Sequence, residues 1–294
     1  MKKKKALLVV LILAAFVMAM TLRSCQGERG YRITQYGTPD GNQYMFYTIE
    51  NNETGELVVI DGGWQENAEF VRQTIKAKGG IVTAWILTHP HPDHIGAFNV
   101  IYENPDGIVI RHIYDDDIDY EAYDEVDESW DEIEVYAKYL ELTQNADNIT
   151  HLKRGDTFEI IGLDCEVFNA WDEAVTDISD DYANDGSLMI KLSSEKDSFL
   201  VCGDVTSGMA QYIMDTYGDR LDSGIVQMGH HGNWGLTEEF YDMVKPHTAF
   251  FDAPQWLMTD TQSTYDAYKF KEYMEKMGAK VYDFSTAPNV IVIQ

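Results

Sequence analysis

Three histidines and one aspartate occupy positions 89, 91, 93 and 94 of this chain, directly after the apolar run 81–87. Neutral imidazole is a good ligand for zinc and neighbouring first-row metals, and carboxylate suits harder ions such as manganese. Pro90 and Pro92 stiffen the segment and lower the entropy cost of ordering it. The cluster therefore predicts a metal site on a loop that follows a buried strand.

Alternation of side chains along an extended segment divides this motif into two halves. His89 and His91 can bind one ion, whereas Asp93 and His94, beyond the bend at Pro92, face a second ion. A polar loop of unrelated histidines is the alternative, but so dense a set of ligands favours metal binding. The motif therefore predicts a centre for two ions.

The first 25 residues have the composition of a membrane-targeting leader. Four lysines at positions 2–5 precede 17 uncharged apolar or small residues, 6–22, a length between a signal-peptide core and a minimal membrane span. Residues 22–25 are similar to a bacterial lipobox ending at Cys25, although Arg23 departs from it. Signal peptide, lipoprotein leader and uncleaved anchor stay open, beside a buried N-terminal helix. Because basic flanks remain cytoplasmic, we expect an extracytoplasmic bacterial protein, membrane-anchored or secreted.

The remainder of the chain is strongly acidic. The net formal charge is −28, and without the five positive charges of residues 1–25 it is about −33. Such a surface repels polyanions, so nucleic acid is a disfavoured partner and a small-molecule or cell-envelope substrate is expected. A chain of 294 residues with 45% hydrophobic content can bury a large core. We expect one catalytic domain, residues 31–294, with membrane contact through the leader only.

Acidic residues are concentrated at positions 115–134, where 12 of 20 are Asp or Glu. Aromatic and aliphatic residues interleave with them at a spacing that favours one or two helices with an apolar stripe. We therefore predict an acidic insertion near 115–140. It is either a solvated insertion or a lid over the metal site that recognises a cationic or choline-like group through its aromatic residues.

Predicted strands and helices follow one another without internal repeats. Residues 31–35, 44–49, 57–60 and 81–87 are typical of strands, with a helix over 67–78 and a short helix from residue 95. The second half predicts strands near 158–161, 165–168, 187–192, 198–201, 225–228, 249–251 and 290–293, and helices near 208–217, 238–244 and 265–277. Cys165 and Cys202 fall in strand-like runs and are interpreted as small buried residues. Sheets flanked by helices are implied.

Four ordered motifs, each after a predicted strand, resemble the metallo-β-lactamase fold superfamily. They are Asp61-Gly62-Gly63, the motif at 89–94, Gly203-Asp204 and His230-His231-Gly232. The segment 184–188, Asn-Asp-Gly-Ser-Leu, is similar to the hydrolase domain of ComEC-type DNA-internalisation proteins. The resemblance covers residues 31–294. It implies an α+β fold, a four-layer αβ/βα sandwich with two metals at one edge of the paired sheets.

The resemblance also implies roles for the motif residues. His89 and His91 would bind the first metal, Asp93 and His94 would bind the second, and Asp204 would bridge both. These assignments agree with the division of the motif by side-chain alternation.

Further roles outside the first motif follow from the same resemblance. His230 is the predicted last ligand of the second metal, and His231 is a predicted catalytic or substrate-contacting residue. Asp61 would orient a ligand imidazole through a hydrogen bond. His247 is interpreted as structural or substrate-facing rather than as a ligand.

One departure from the family pattern affects the first metal. Many superfamily members have another histidine between the first motif and Gly-Asp, but here only His112 and His151 lie there, and neither is well placed. ComEC-type domains have an Asn/Asp-x-x-Ser element instead, matched by Asn184, Asp185 and Ser187. We therefore expect two Zn²⁺ ions, with Mn²⁺ as a competitor at an oxygen-completed first site.

The function implied is metal-dependent hydrolysis. Two ions can hold a bridging hydroxide and neutralise charge on a phosphoryl or acyl oxygen, and Asp93 could orient the water or move its proton. The ComEC-type resemblance implies phosphodiester hydrolysis. The acidic charge favours a smaller phosphoester or a cell-envelope phosphodiester, such as a phosphocholine-type group, at the outer face of the membrane. The alternatives are a nuclease of the DNA-uptake type and a non-catalytic surface binding protein that retains the fold.

Overall fold

The computed structural model describes residues 29–38, 41–126, 128–262 and 264–294. The predicted leader, with its lysines and Cys25, lies outside the described residues. The strands are β1 Tyr31–Gln35, β2 Phe46–Asn51, β3 Leu57–Asp61, β4 Ile81–Val82, β5 Ala84–Ile86, β6 Val109–Ile110, β7 Ile113–Asp115, β8 Ile149–His151, β9 Thr157–Ile160, β10 Leu163–Asn169, β11 Met189–Ser193, β12 Ser198–Val201, β13 Ile225–Gln227, β14 Thr248–Phe250, β15 Lys280–Tyr282 and β16 Asn289–Ile293.

Helices connect many of these strands. They are α1 Ala68–Ala77, α2 Pro92–Glu103, α3 Tyr120–Asp124, α4 Glu134–Thr143, α5 Glu173–Ile178, α6 Tyr182–Gly186, α7 Ser207–Tyr217, α8 Glu238–Val244, α9 Gln255–Thr259 and α10 Ala267–Met277. Short 3-10 turns occupy Gln65–Asn67, Gly218–Leu221, Gly229–Gly232 and Phe284–Thr286. Within the described ranges, no helix combines the length and the apolar character that crossing a membrane requires.

Two seven-stranded sheets face each other across a shared core. The first has the order β16-β1-β2-β3-β5-β7-β8 and the second the order β15-β14-β13-β12-β11-β10-β9, while β4 and β6 form a separate pair. Side chains alternate along each strand. In β3, Val58 and Ile60 therefore pack between the sheets, whereas Leu57 and Val59 pack towards the helices. Because both faces are covered, the strand is apolar throughout.

Helices cover the outer face of each sheet. Residues of α1, α2 and α4 pack on the first sheet, and residues of α7, α8 and α10 pack on the second. The layers are thus helix, sheet, sheet and helix, as the predicted αβ/βα sandwich requires. Cys165 and Cys202 are buried and unpaired, which confirms their predicted packing role.

Two predicted elements differ from the structure in a way that affects the site. The predicted strand 81–87 is two strands, because β4 pairs with β6 whereas β5 pairs with β3 and β7. The predicted helix from residue 95 begins earlier, at Pro92, whose fixed φ and missing N–H suit the first helical position. Asp93 and His94 therefore lie in the first turn of α2, rather than in a loop.

The parallel strands bring the chemistry-bearing segments to one edge. β3 ends at Asp61, β5 is followed by the motif at 89–94, β12 by Asp204 and β13 by the turn Gly229–Gly232. Since β3 and β5 run parallel in one sheet and β12 and β13 run parallel in the other, each pair places its carboxyl ends together. The paired sheets thus present all four segments at the same edge.

Candidate metal centre

Five side chains from three segments converge in the buried centre. Asp204 Oδ2 lies 3.3 Å from His94 Nε2, 3.2 Å from His231 Nε2 and 3.9 Å from His89 Nε2. Asp93 Oδ2 lies 3.1 Å from His231 Nε2. The donors form two overlapping sets, His89, His94 and Asp204, and Asp93, His94 and His231, with ligand atoms within 4.8 Å of one another in each.

This donor set fits divalent metal ions. His89 Nε2 and Asp204 Oδ1 are buried and have no hydrogen-bond partner in the structure. A buried polar atom without a partner is costly, so both atoms call for a ligand at the centre. The donors are imidazole nitrogens and carboxylate oxygens, a combination that zinc and manganese accept. The two donor sets of histidine and aspartate could therefore hold metal ions, and His94 belongs to both sets.

Electrostatics within the cluster favour a cation. Burial would lower the pKa of the His94 imidazole, but three neighbouring aspartates outweigh it and hold that pKa well above its usual value. The same balance raises the pKa of His231 to about 10. Burial would raise the pKa of Asp204, but His231 and His94 hold it well below its usual range. Asp204 is therefore an ionised carboxylate in the middle of the cluster, which suits the bridging role predicted for it.

Asp61 holds one ligand imidazole in place. Its Oδ1 accepts the Thr88 N–H at 2.8 Å, and its Oδ2 lies 2.7 Å from both Thr88 Oγ1 and His94 Nδ1. Nδ1 is therefore the ring nitrogen that donates to the carboxylate, and Nε2 is left to face the metal centre. The contact expected of Asp61 is present, and the partner is His94.

His91 lies apart from the two donor sets, although it was predicted to share an ion with His89. The ring centroids of these two histidines are 4.7 Å apart. His91 Nε2 is 2.9 Å from Asp131 Oδ1, so Nδ1 is the ring nitrogen left for a metal. Asp131 belongs to the acidic segment, and its other oxygen accepts the Glu128 N–H at 2.6 Å. Sequence reasoning missed Asp131 because it is one of twelve acidic residues in that run.

His230 and His231 occupy places opposite to those predicted. His231 Nε2 lies within a donor set, whereas His230 Nε2 is 3.9 Å from Asp204 Oδ2 and its ring borders the cavity beside the centre. Both residues have positive φ, 49° and 59°, in the turn after β13. This left-handed turn separates their ring centroids by 6.0 Å. A sequence pattern does not reveal which of two adjacent rings points inward.

The segment 184–187 supports the centre in three different ways. Ser187 Oγ accepts the Asp204 N–H at 3.1 Å and so fixes the position of that carboxylate. Asp185 accepts from Ser179 Oγ at 2.6 Å and from the Thr206 N–H at 2.8 Å, which makes it structural. Asn184 borders the cavity, and its Oδ1 is buried without a hydrogen-bond partner. Asn184 is therefore the member of the segment with an oxygen left for a ligand.

The remaining histidines lie away from the centre. His247 Nε2 is 3.1 Å from Asp197 Oδ2, and the side chain is 62% exposed at the amino end of β14, opposite the metal edge. His247 therefore lies away from the metal centre and contacts Asp197 instead. His112 Nε2 is 2.9 Å from Thr150 Oγ1, and His151 Nδ1 is 2.7 Å from Asp115 Oδ1.

A cavity of about 890 Å³ opens onto the centre. Its floor includes the ligand candidates Asp93 and Asp204, together with His91 and His230. A small molecule that enters this cavity therefore reaches the cluster directly.

Residues 39–170 match the family model described as the Metallo-beta-lactamase superfamily. This region is similar to the metallo-β-lactamase superfamily. It contains the motif at 89–94, while Asp204 and His231 lie beyond the matched residues, after strands β12 and β13 of the second sheet. Members of the superfamily are usually metal-dependent hydrolases. No curated protein matches the chain by sequence.

Solved structures show the same fold over most of the chain. The metallo-beta-lactamase fold protein YhfI from Bacillus subtilis superposes with a TM-score of 0.54 at 11% identity, covering 89% of this chain and 99% of that one. An E377D mutant of CmlA beta-hydroxylase gives a TM-score of 0.51 at 10% identity, covering 89% of this chain and 54% of that one. The described chain therefore has the metallo-β-lactamase fold in both halves.

Proposed function

We propose that this protein is a metal-dependent phosphoesterase, most active on phosphodiesters, with Zn²⁺ or Mn²⁺ in the cluster. The observation that carries the proposal is the pair of overlapping donor sets that share His94 and present Asp93 and Asp204 to an open cavity. Bound divalent ions would supply a nucleophile at neutral pH by lowering the pKa of water, and would neutralise charge on a phosphoryl oxygen.

The chain's own residues have distinct parts in this proposal. Asp204, His94 and His231 would hold the ions, with His89 on one side and Asp93 on the other. Asp93 also borders the cavity, where its carboxylate can accept a proton from the attacking water. The cluster therefore supplies both the ligands and a base.

Substrate contacts would come from residues beside the cluster. His230 borders the cavity and would contact the phosphoryl group, and Asn184 Oδ1 would complete the oxygen-rich side. An oxygen-rich donor set suits a harder ion and a phosphoryl oxygen better than an all-imidazole set does. The similarity of segment 184–188 to ComEC-type domains also supports a phosphoester.

A nuclease of the DNA-uptake type is less well supported. Among the described residues that border the cavity, none is a lysine or an arginine. Phosphate backbones are bound mainly through such cations, and the chain carries a net formal charge of −28. A small phosphoester therefore fits the cavity better than a long polyanion.

The experiment is a substrate panel with the metal-loaded chain. We expect turnover of bis-p-nitrophenyl phosphate, slower turnover of p-nitrophenyl phosphate and none of a β-lactam. Asp93→Ala should lower the phosphodiester rate by more than about 100-fold, the upper loss found even for residues that only support a ligand. His247→Gln is the matched control, because His247 lies at the amino end of β14, away from the metal centre. Preference for the β-lactam, or a rate unaffected by Asp93→Ala, would overturn the proposal.

A non-catalytic binding protein is the second candidate, and the small size of the donor sets favours it. With His91 outside both sets, each set has only two imidazoles and one carboxylate. Metal binding without turnover of any phosphoester in the panel would support this candidate over the enzyme.

We further propose that the domain acts at the outer face of the membrane. The support is the sequence of residues 1–25, where four lysines precede an uncharged apolar run. Fusion of alkaline phosphatase after residue 294 should give an active reporter. A fusion that is active only in cell lysates would contradict this placement.

A further inference from the structure

Aromatic side chains form much of the wall of the cavity above the metal centre. Trp64, Trp130, Trp234 and Trp256 border it, which is four of the six tryptophans in the chain, and Tyr265 joins them. Trp130, Trp234 and Trp256 keep 67%, 47% and 49% of their surface exposed. Exposed large aromatic residues gathered at one concave site are typical of a binding surface.

The polar edges of three indoles are tied to the backbone. Trp64 Nε1 donates to Gln43 O at 2.8 Å, Trp234 Nε1 to Thr264 O at 3.1 Å and Trp256 Nε1 to Gly41 O at 3.0 Å. These bonds fix the rings before any ligand arrives and leave the ring faces as the available surface. A ligand would thus meet rigid π faces at low entropic cost.

Two of the rings are joined through a third. The Trp234 and Tyr265 centroids are 5.1 Å apart with the planes at 31°, while the Trp256 and Tyr265 centroids are 5.7 Å apart with the planes at 69°. The ring planes therefore meet at an angle and form a concave corner, in which a compact group can contact the faces of more than one aromatic ring. His230, whose ring is 6.5 Å from Trp234, connects this corner to Asp204.

Acidic residues accompany the aromatic wall. Asp181 borders the cavity, and a neighbouring cavity of about 320 Å³ is lined by Trp130 together with Glu128, Asp131 and Asp180. No lysine or arginine borders the larger cavity in the described part of the chain. Negative potential and π faces together attract cations and repel anions. A ligand held by aromatic stacking alone would not require this charge.

We infer that the aromatic wall binds an alkylammonium group of the substrate, a quaternary ammonium in particular, while the neighbouring cluster holds its phosphoester. The aromatic surface is defined here as Trp130, Trp234, Trp256 and Tyr265. A trimethylammonium group is compact, weakly hydrated and cationic, so it fits a corner of π faces beside carboxylates. This inference rests on the proposed function for the phosphoester half of the substrate only.

The decisive experiment measures cation binding without turnover. Choline and its uncharged isostere 3,3-dimethyl-1-butanol are titrated into the full chain, with and without Zn²⁺, by calorimetry and tryptophan fluorescence. We expect choline to bind in both states, and the isostere to bind at least about tenfold more weakly, because only the cation is attracted to the ring faces. Equal binding of both probes, or binding of neither, would overturn the inference.

Variants locate the binding surface. Trp234→Leu should weaken choline binding by about tenfold, and Trp234→Phe should weaken it less because a π face remains. Tyr268→Leu is the matched control, since Tyr268 is a partly buried aromatic residue that does not border the cavity. If Trp234→Leu and Tyr268→Leu have the same small effect, choline binds elsewhere and the inference is wrong.

Kinetics then separate this inference from the proposed function. With p-nitrophenyl phosphorylcholine, we expect KM below that for ethyl p-nitrophenyl phosphate, and Trp234→Leu should remove the difference. Choline binding with no phosphoester turnover would refute the proposed function alone. Turnover of both esters with equal KM would refute the alkylammonium site alone.

Discussion

Asp131 Oδ1 lies 2.9 Å from His91 Nε2 and joins the acidic segment to the metal motif. Both side chains are buried, with 7% and 9% of their surface exposed. The contact gives this acidic segment a place at the centre, which the composition of the segment alone does not show. It also fixes which nitrogen of His91 remains for a metal, the role that carboxylates often have behind ligand histidines.

Loss of this contact should weaken metal binding. Asp131→Ala frees the His91 ring, so we expect the affinity for Zn²⁺ to fall by about 10- to 100-fold, the usual cost of losing such a partner. Asp131→Asn keeps an acceptor oxygen and should lose less. Titration against a competing chelator measures both affinities. Glu128→Gln removes the same charge from the same segment without touching His91, and serves as the control. Tighter binding by Asp131→Ala would mean that Asp131 competes with the metal.

The two adjacent histidines after β13 should differ in what they hold. His231→Ala removes a member of a donor set, so we expect one equivalent of metal to be lost when it is measured by plasma mass spectrometry. His230→Ala should retain the full metal content and instead lower kcat/KM, because the His230 ring borders the cavity. The reverse result, with metal lost only in His230→Ala, would restore the sequence-based assignment of His230 as the ligand.

Thr88→Val tests the support behind His94. The variant keeps the shape of the side chain but removes the hydroxyl that donates to Asp61 Oδ2 at 2.7 Å. A buried carboxylate that loses a donor costs roughly 1–3 kcal/mol, which should appear in the free energy of unfolding of the metal-free protein. Urea unfolding of the metal-free variant and wild type measures this difference in free energy. Thr34→Val, at a buried threonine of β1 that has no bond to Asp61, is the comparison. Equal losses in both variants would show that the hydroxyl bond to Asp61 adds no stability of its own.

Much of the fold and part of the site could be predicted from the sequence. His89, Asp93 and His94 lie within six positions, so their spacing alone indicates a site, and apolar runs between turns indicate the strands of the paired sheets. Asp204 follows strand β12, which the apolar run 199–202 predicts. These features depend on residues that are close together in the sequence, so they can be recognised without knowing the fold.

The parts that the sequence did not reveal depend on tertiary placement. Asp131 contacts His91, 40 positions away, from a run in which 12 of 20 residues are acidic. His231 rather than His230 points into the centre because both residues have left-handed backbone conformations. Residues other than glycine adopt this conformation uncommonly, so the sequence does not predict it. Trp64, Trp130 and Trp256 meet at one cavity from distant segments. Position in space, not sequence pattern, assigns these residues to the site.

Asp252 should make the stability of the metal-free protein depend on pH. It is fully buried, its Oδ1 accepts from Gln35 Nε2 at 2.8 Å and from Tyr47 OH at 2.7 Å, and its Oδ2 has no partner. Burial raises the pKa of this carboxyl to about 6, despite those two donors and the nearby His231. Between its ordinary pKa and about 6, the folded state binds a proton that the unfolded state has lost. The stabilisation is therefore complete below the ordinary pKa, and is lost as the pH rises through about 6.

Replacement of this carboxyl by an amide should remove the dependence. Because Asp252→Asn stays neutral, we expect its free energy of unfolding relative to wild type to increase by up to about 3 kcal/mol between pH 4 and pH 7.5. Urea unfolding of both metal-free proteins across this range gives the difference. Asp219→Asn, at an exposed aspartate in the turn after α7, should show no such trend. A constant difference between Asp252→Asn and wild type at every pH would show that Asp252 ionises in the folded protein as readily as in the unfolded chain.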